Sequence, residues 1–416
     1  MRRRRTITRL RARRVSVPAA RSVTDGCVAR PVLSGRENVA NNASRYMTLS
    51  NPQSVSRRRF LARAAGASGA LVGAAAGLPL ASCAKSEPEP GPQPGASPSG
   101  ATEAGGDEAA GGAVSRVVVI RHAFLAADGD GPSPEAVREL LDEAAKALAG
   151  ADRAADAWAR WFRPDDRLGV KVNCLGLPTR PAVAEGLVRA VGAIGLPPGK
   201  VILWDRTNRE LRRAGYTLRA RGKGVRCYGT DALASRGHAG YSAEVYSSGA
   251  TGSLISRIVT DETTALVSAA ILKDHNLAGL TAVMKNFFGA IHNPNKYHDD
   301  CCDPFIADAC AQKPIRSRLR LALCDAGRPQ YQGGPAPRPK WQWPYGGLIL
   351  STDPVAADAV GRQILLRKRA AAGMKPLAED GRPVRYLASG AERGLGTADL
   401  ARIEVVSLGK PWLEVG

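Results

Sequence analysis

The chain has 416 residues, 23% of them charged and 44% hydrophobic, and a formal net charge of +21, long enough for one large domain or two intimate ones. A charge of that size suggests nucleic acid until it is located. Residues 1–82 carry sixteen arginines and no lysine against Asp25 and Glu37, so two-thirds of the excess belongs to the N-terminal segment; no basic stripe interleaved with aromatics follows, and no nucleic-acid partner is expected.

In chain order the first legible element is SRRRFLARAAGASGALVGAAAGLPLASC, residues 56–83. Arg57, Arg58 and Arg59 precede Phe60 and Leu61, a weakly apolar alanine and glycine run follows, and Leu80-Ala81-Ser82 leads to Cys83. A transmembrane helix would need stronger hydrophobicity than alanine and glycine supply, and Pro79 interrupts its end. A cleaved twin-arginine export signal over 47–83, ending in a lipid-attachment cysteine at Cys83, explains all of these features together. The expected partners are the twin-arginine export machinery and a membrane reached through the lipid. Met47 is the expected initiator, which makes 1–46 an extension foreign to the native product. Residues 84–113 are rich in proline, glycine and small polar residues, a composition that cannot offset ordering entropy, and they form a disordered tether reaching roughly 90 Å when extended. The expected location is outside the cytoplasm, anchored to the cell envelope.

Residues 114–416 form the folded body. Strands are predicted at 117–122, 167–173, 200–205, 225–229, 265–273, 318–325 and 347–351. Helices are predicted at 134–150, around Trp158, Trp161 and Phe162, from Pro181 to Ile194, and after Asp353. Continuous apolar strands alternating with helices predict an α/β fold, a mostly parallel sheet with helices on both faces. Ligands of such sheets sit beyond the C-terminal strand ends.

The richest chemistry falls in LKDHNLAGLTAVMKNFFGAIHNPNKYHDDCCDP, 272–304, which holds His275, His292 and His298 of only five histidines in the chain. Lys273 and His275 stand at a strand end. The spacing of Leu280, Met284, Phe287 and Ile291 predicts a helix from Thr281 with Lys285 and His292 on a neighbouring face. A lysine fixed near a helix N-terminus suits a small carboxylate or phosphate. Against this, a single lysine on a helix is more often a solvated face residue and a histidine before asparagine a local cap. His298, Asp299, Asp300 and the adjacent cysteines could coordinate a divalent metal, or form an irregular loop around Pro294 and Pro304. Lys171 and Asn173 end another strand. Asp325 closes RLRLALCD, and Asp353 precedes Pro354 as in ordinary helix capping.

No GxSxG elbow, P-loop or HExxH is present. Of eight cysteines, Cys174, Cys227, Cys301, Cys302, Cys310 and Cys324 lie in the body. Outside the cytoplasm an even set reads as disulfides or plain burial, with Cys310 or Cys324 as partners for the vicinal pair. None shows CxxC spacing, so no iron–sulfur motif is present.

Taken in order, KVNCLG, LKDHNLAGLTAVMKNFFGAIHNP, LCDAGRPQYQGGP and GLILSTDPVAADAVG resemble the bacterial and archaeal family labelled domain of unknown function 362. The resemblance covers roughly Val117 to Leu365. Its best signature is the Lys-x-His, Gly-Leu-Thr and Met-Lys-Asn-Phe-Phe-Gly series. Similar members are often exported with twin-arginine signals, and some are fused to ferredoxin-like modules, which implies redox or metal chemistry; this chain departs from those in its cysteine spacing. The resemblance implies that Lys171, Asn173, Lys273, His275, Lys285, Asn286, Asp325 and Asp353 matter, and assigns them no roles.

The combined expectation is a lipid-anchored enzyme, possessing a metal or cofactor, acting on a small anion. Lys273, His275 and Lys285 would hold the anion, with Asp325 or His298 moving a proton or binding metal. Lys171, Asn173, Asn286, His292 and Asp353 would line the ligand. The competing expectation is a non-catalytic ligand- or metal-binding envelope lipoprotein.

Overall fold

The computed structural model describes residues 12–14, 114–127, 131–234 and 239–416. The expected export signal with Arg57 and Arg58, the expected lipid-attachment residue Cys83 and the tether 84–113 lie outside the described residues.

After β1 (Ala12–Arg14) come β2 (Ser115–Arg121), α1 (Pro134–Ala149), α2 (Ala154–Ala159), β3 (Leu168–Val172), α3 (Pro181–Val191), β4 (Val201–Trp204), α4 (Asn208–Arg213), β5 (Arg226–Cys227) and α5 (Asp231–Ala234). A hairpin of β6 (Tyr246–Ser248) and β7 (Thr251–Ser253) leads to β8 (Ala265–His275), its short return β9 (Gly279–Thr281), α6 (Phe305–Ala311) and α7 (Lys313–Arg316). The chain closes with β10 (Leu319–Gln330), β11 (Gly347–Ser351), α8 (Pro354–Ala371), α9 (Tyr386–Glu392) and β12 (Ile403–Leu408).

One ten-stranded sheet has the order β1-β12-β2-β11-β10-β8-β3-β4-β5, with β9 added to β8. Strands β12 and β2 are parallel, as are β10, β8, β3, β4 and β5 in turn. Strand β11 runs against both of its neighbours. The sheet is therefore α/β and mostly parallel, and its strands are apolar on both faces for the expected reason. Val118, Ile120, Val267 and Ala269 point to the layer of α1, α2 and α3. Val117, Val119, Leu266 and Leu272 point to the opposite layer, where α6, α8 and α9 pack.

Local sequence explains the helix limits. Ser133 caps α1 by accepting from Ala136 N, Pro134 occupies its first turn, and Gly150 ends it in the left-handed region. The face formed by Val137, Leu140, Leu141, Ala144 and Leu148 is buried, at the three- and four-residue spacing of an amphipathic helix.

The helix predicted to start at Thr281 does not form. The chain instead turns back at Gly279, whose φ of +74° suits glycine, and pairs Thr281 with Lys273 across β8 and β9. The backbone N–H groups of Val283 (2.8 Å) and Met284 (3.3 Å) then donate to the Asp358 carboxylate of α8 rather than to carbonyls one turn earlier. Only a short 3-10 turn, Lys285–Gly289, follows. Apolar residues at helical spacing here reflect burial of an irregular segment on all sides.

Candidate functional site

Because the parallel strands share a direction, their C-terminal ends meet at one edge. Lys171 and Asn173 arrive there from β3, Asp205 from β4, and Lys273 and His275 from β8. Strand β9 and the segment after it lie over this edge and add Thr281, Lys285 and Asn286. Together with His298 these side chains line a cavity of about 110 Å³.

Its floor is a buried ion pair. Lys171 Nζ donates to Asp205 Oδ1 (2.6 Å), to Asn286 Oδ1 (3.1 Å) and to the Val172 carbonyl (2.7 Å). The other Asp205 oxygen accepts from Cys174 N (2.7 Å). Asn286 returns hydrogen bonds to Lys171 O (2.7 Å) and Ser268 Oγ (3.1 Å). Gly289 closes this floor, since a Cβ there would lie 2.7 Å from both Asp205 Oδ1 and Lys171 Nζ. The glycine of the MKNFFG run is thus required by close approach.

Lys273, 1% exposed, occupies one wall. Its Nζ donates to Asn173 Oδ1 (2.9 Å), Leu175 O (2.5 Å) and Leu177 O (2.7 Å), fixing the loop after β3. Desolvation, with the Lys285 charge next, pulls its pKa down to about 7, while three acceptors favour the ammonium.

Lys285 is built differently. It is 8% exposed, lies 4.4 Å from the Phe288 ring centre, and its one hydrogen-bond partner among the described residues is His298 Nε2, at 3.3 Å. Burial lowers its pKa to about 8. His298 Nδ1 faces the Pro294 carbonyl at 3.0 Å, which can only accept, so Nδ1 carries the proton of the neutral ring and Nε2 accepts from Lys285. Desolvation, then the Lys285 charge, lowers the His298 pKa. His275 has the opposite tautomer. Its Nδ1 accepts from Leu277 N (3.1 Å) and Ala278 N (3.2 Å), which leaves the proton on Nε2. Burial, then the charge of Lys285, drives its pKa down to about 2, so the ring is neutral at ordinary pH. Thr281 Oγ1, in the same lining, is buried without a hydrogen-bond partner.

The cavity thus gathers three unsaturated donors: Lys285 Nζ, His275 Nε2 and Thr281 Oγ1. The two carboxylates in its lining are engaged elsewhere, Asp205 with Lys171 and Glu210 with Arg206 at 2.7 Å. Such a set can receive an anion, and the Lys285–His298 pair can exchange a proton.

Lys171, Asn173, Lys273, His275, Lys285, Asn286 and His298 therefore converge as the sequence suggested. Asp325, Asp353, His292, Asp299 and Asp300 do not. Asp325 turns away from the cavity into a two-point pair with Arg180 Nη2 (2.6 Å) and Nε (2.8 Å) and also accepts from Gly327 N (3.0 Å). Asp353 follows the antiparallel β11 and lies at the far edge of the sheet; it caps α8 through Ala356 N (2.8 Å) and binds Ser115 Oγ (2.6 Å) and Thr397 N (2.9 Å). His292, displaced because the expected helix is absent, lines a neighbouring depression and stacks edge-on against Tyr241 at 5.0 Å. The metal set His298, Asp299 and Asp300 does not assemble: His298 faces Lys285, and Asp300 pairs with Arg385. Among the described residues no group of three or more histidine, cysteine, aspartate or glutamate side chains could hold a metal ion. The six body cysteines are free thiols, five of them buried and Cys301 half-buried, so the expected pairing of Cys301 or Cys302 with Cys310 or Cys324 does not form.

Asp205 and Thr281 Oγ1 are the site groups that sequence reading passed over. Asp205 ends KVILWD as Asp325 ends RLRLALCD, so the strand-end rule applied evenly would have found it. The orphan state of Thr281 carries no sequence signal.

No curated protein and no solved structure matches the chain. The family model described as Domain of unknown function (DUF362) matches residues 169–363, the stretch containing every cavity residue named above.

Proposed function

We propose that the protein is an enzyme acting on a small anionic substrate, held outside the cytoplasm by a lipid on Cys83. The observation that carries the ligand class is the convergence of Lys285 Nζ, His275 Nε2 and Thr281 Oγ1 on one buried cavity whose carboxylates are already paired. A buried hydroxyl without a partner is costly, and an anion can accept from it, from the His275 N–H and from the Lys285 N–H groups that His298 does not use. What supports catalysis over simple binding is the Lys285–His298 contact: a buried amine against an imidazole lone pair is an acid–base pair near neutrality. Export supports the location through the residues 47–83 and the tether that follows.

Calorimetric titration with lactate and with inorganic phosphate tests the ligand class. Binding of at least one probe is expected, weakened about tenfold or more in Lys285→Met. If neither binds, or if Lys285→Met binds as the parent does, the reading fails. Membrane fractionation tests the anchor: Cys83→Ala should move the protein to the soluble fraction, and an unchanged membrane pool would end that part of the proposal.

A further inference from the structure

We propose that Lys285 is a covalent nucleophile whose amine condenses with the carbonyl of a short oxo acid, the acid's carboxylate resting on His275 Nε2 and Thr281 Oγ1. This rests on the anion reading above and deepens it by naming the substrate class. The three cavity lysines make the argument by contrast. Lys171 and Lys273 each place three N–H donors on three oxygens. Their nitrogens are held by these oxygens, built into the wall and unable to reach a substrate without breaking it. Lys285 has no carboxylate and no carbonyl oxygen as partner; its one acceptor is a nitrogen base, His298 Nε2 at 3.3 Å. An ammonium meant only to attract an anion gains nothing from a neutral imidazole beside it. An amine that must shed a proton before attack does.

The surroundings fit that use. Phe288 at 4.4 Å and the low exposure of Lys285 make the environment poorly hydrated, which favours the neutral amine, and the pKa of about 8 agrees. Thr281 Oγ1 is an orphaned buried hydroxyl in the same lining, and His275 Nε2 bears a proton with no acceptor among the described residues. These two donors can fix a carboxylate while the adjacent carbonyl faces Lys285. The cavity of about 110 Å³ restricts the substrate to a short chain.

The step balances without an oxidant or reductant. The Lys285 nitrogen lone pair forms a C–N bond to the carbonyl carbon as the C=O π pair moves to oxygen. His298 Nε2 takes the proton released from nitrogen. His298 returns that proton to the alkoxide, giving the carbinolamine, then takes the second nitrogen proton and hands it to the hydroxyl, which departs as water while the C=N bond forms. One imine and one water replace one amine and one carbonyl.

Incubation of the full-length protein with pyruvate and sodium borohydride, followed by peptide mass spectrometry, tests this. A single reduced adduct on the peptide containing Lys285 is expected, with none on Lys171 or Lys273. Lys285→Arg should abolish it, and His298→Gln should slow it about 100-fold while lactate still binds. If the Lys285→Arg variant fails to fold, competition settles the matter in the parent protein, since excess lactate should suppress the adduct. Adducts spread over surface lysines and indifferent to lactate would overturn the proposal. So would lactate binding without any Lys285 adduct, an outcome that leaves the anion reading intact.

Discussion

Replacing Asp205 by alanine removes the acceptor at the centre of the cavity floor. Three donors lose their partner: Lys171 Nζ at 2.6 Å, Cys174 N at 2.7 Å and Arg206 N at 2.7 Å. Both charged side chains are almost wholly buried, at 1% and 7% exposure, so water cannot take the place of the carboxylate. Breaking a buried pair from one side costs about 3–5 kcal/mol, and each orphaned amide adds on the order of 1 kcal/mol. Lys171 keeps Val172 O and Asn286 Oδ1, which places the ion-pair share near the lower end. A loss of about 5 kcal/mol is therefore expected, a large part of a typical domain's stability. The double change Lys171→Met with Asp205→Leu removes both charges and should recover most of that loss. Urea unfolding followed by tryptophan fluorescence measures both. An Asp205→Ala variant within about 1 kcal/mol of the parent, or a double variant less stable than the single one, would refute the reasoning.

Thr281→Val is nearly isosteric and deletes a hydroxyl that has no partner; stability should hold or rise slightly, while lactate affinity falls about 2- to 10-fold by calorimetry. A stability loss without an affinity loss would mark the hydroxyl as structural. Asp353→Ala should cost about 1–2 kcal/mol in urea unfolding through the lost α8 cap, with lactate affinity unchanged because the residue lies at the opposite sheet edge. Asp358→Asn should lower lactate affinity as well as stability, since it weakens the hold on Val283 and Met284 that sets the start of the Lys285 segment; intact affinity would remove that positioning role.

The sheet was legible because fully buried strands announce themselves as apolar runs such as VVVIR and VILW, and because proline and glycine mark the limits of α1 and α3. The final strand β12, with glutamate at 404 and a preceding loop, carries a weaker pattern and went unread; it is held as much by its parallel partner β2 as by its own sequence. Lys171, Lys273, His275 and Lys285 were legible as site residues because strand ends of a parallel sheet converge by topology. Asp353 is the helix cap that its position before Pro354 suggested; it does not join the ligand residues because the strand-end rule depends on strand direction, and nothing in GLILS reveals that β11 runs the other way. The 281–292 segment was misread for a related reason. Helical spacing of apolar residues cannot foresee that a buried aspartate 75 positions away will capture two backbone N–H groups.

The most direct test of the central claim is the affinity for lactate, which does not itself titrate near neutrality, followed from roughly pH 6 to roughly pH 9.5. The titratable and charged groups lining the cavity are Lys285, Lys273, His275 and His298, with Lys171, Asp205, Arg206 and Glu210 held in the ion pairs Lys171–Asp205 and Arg206–Glu210. His275 is neutral throughout, and burial with the Lys285 charge lowers the His298 pKa. Lys273 and Lys285 lose a proton as pH rises through about 7 and about 8, and the sign is the same for each: fewer positive charges, weaker anion binding. The account predicts an affinity that is strongest in acid, falls steeply through about pH 8, and in Lys285→Met is weak from the start with a shallower fall. An affinity that is constant or increases across that interval in the parent protein would contradict it.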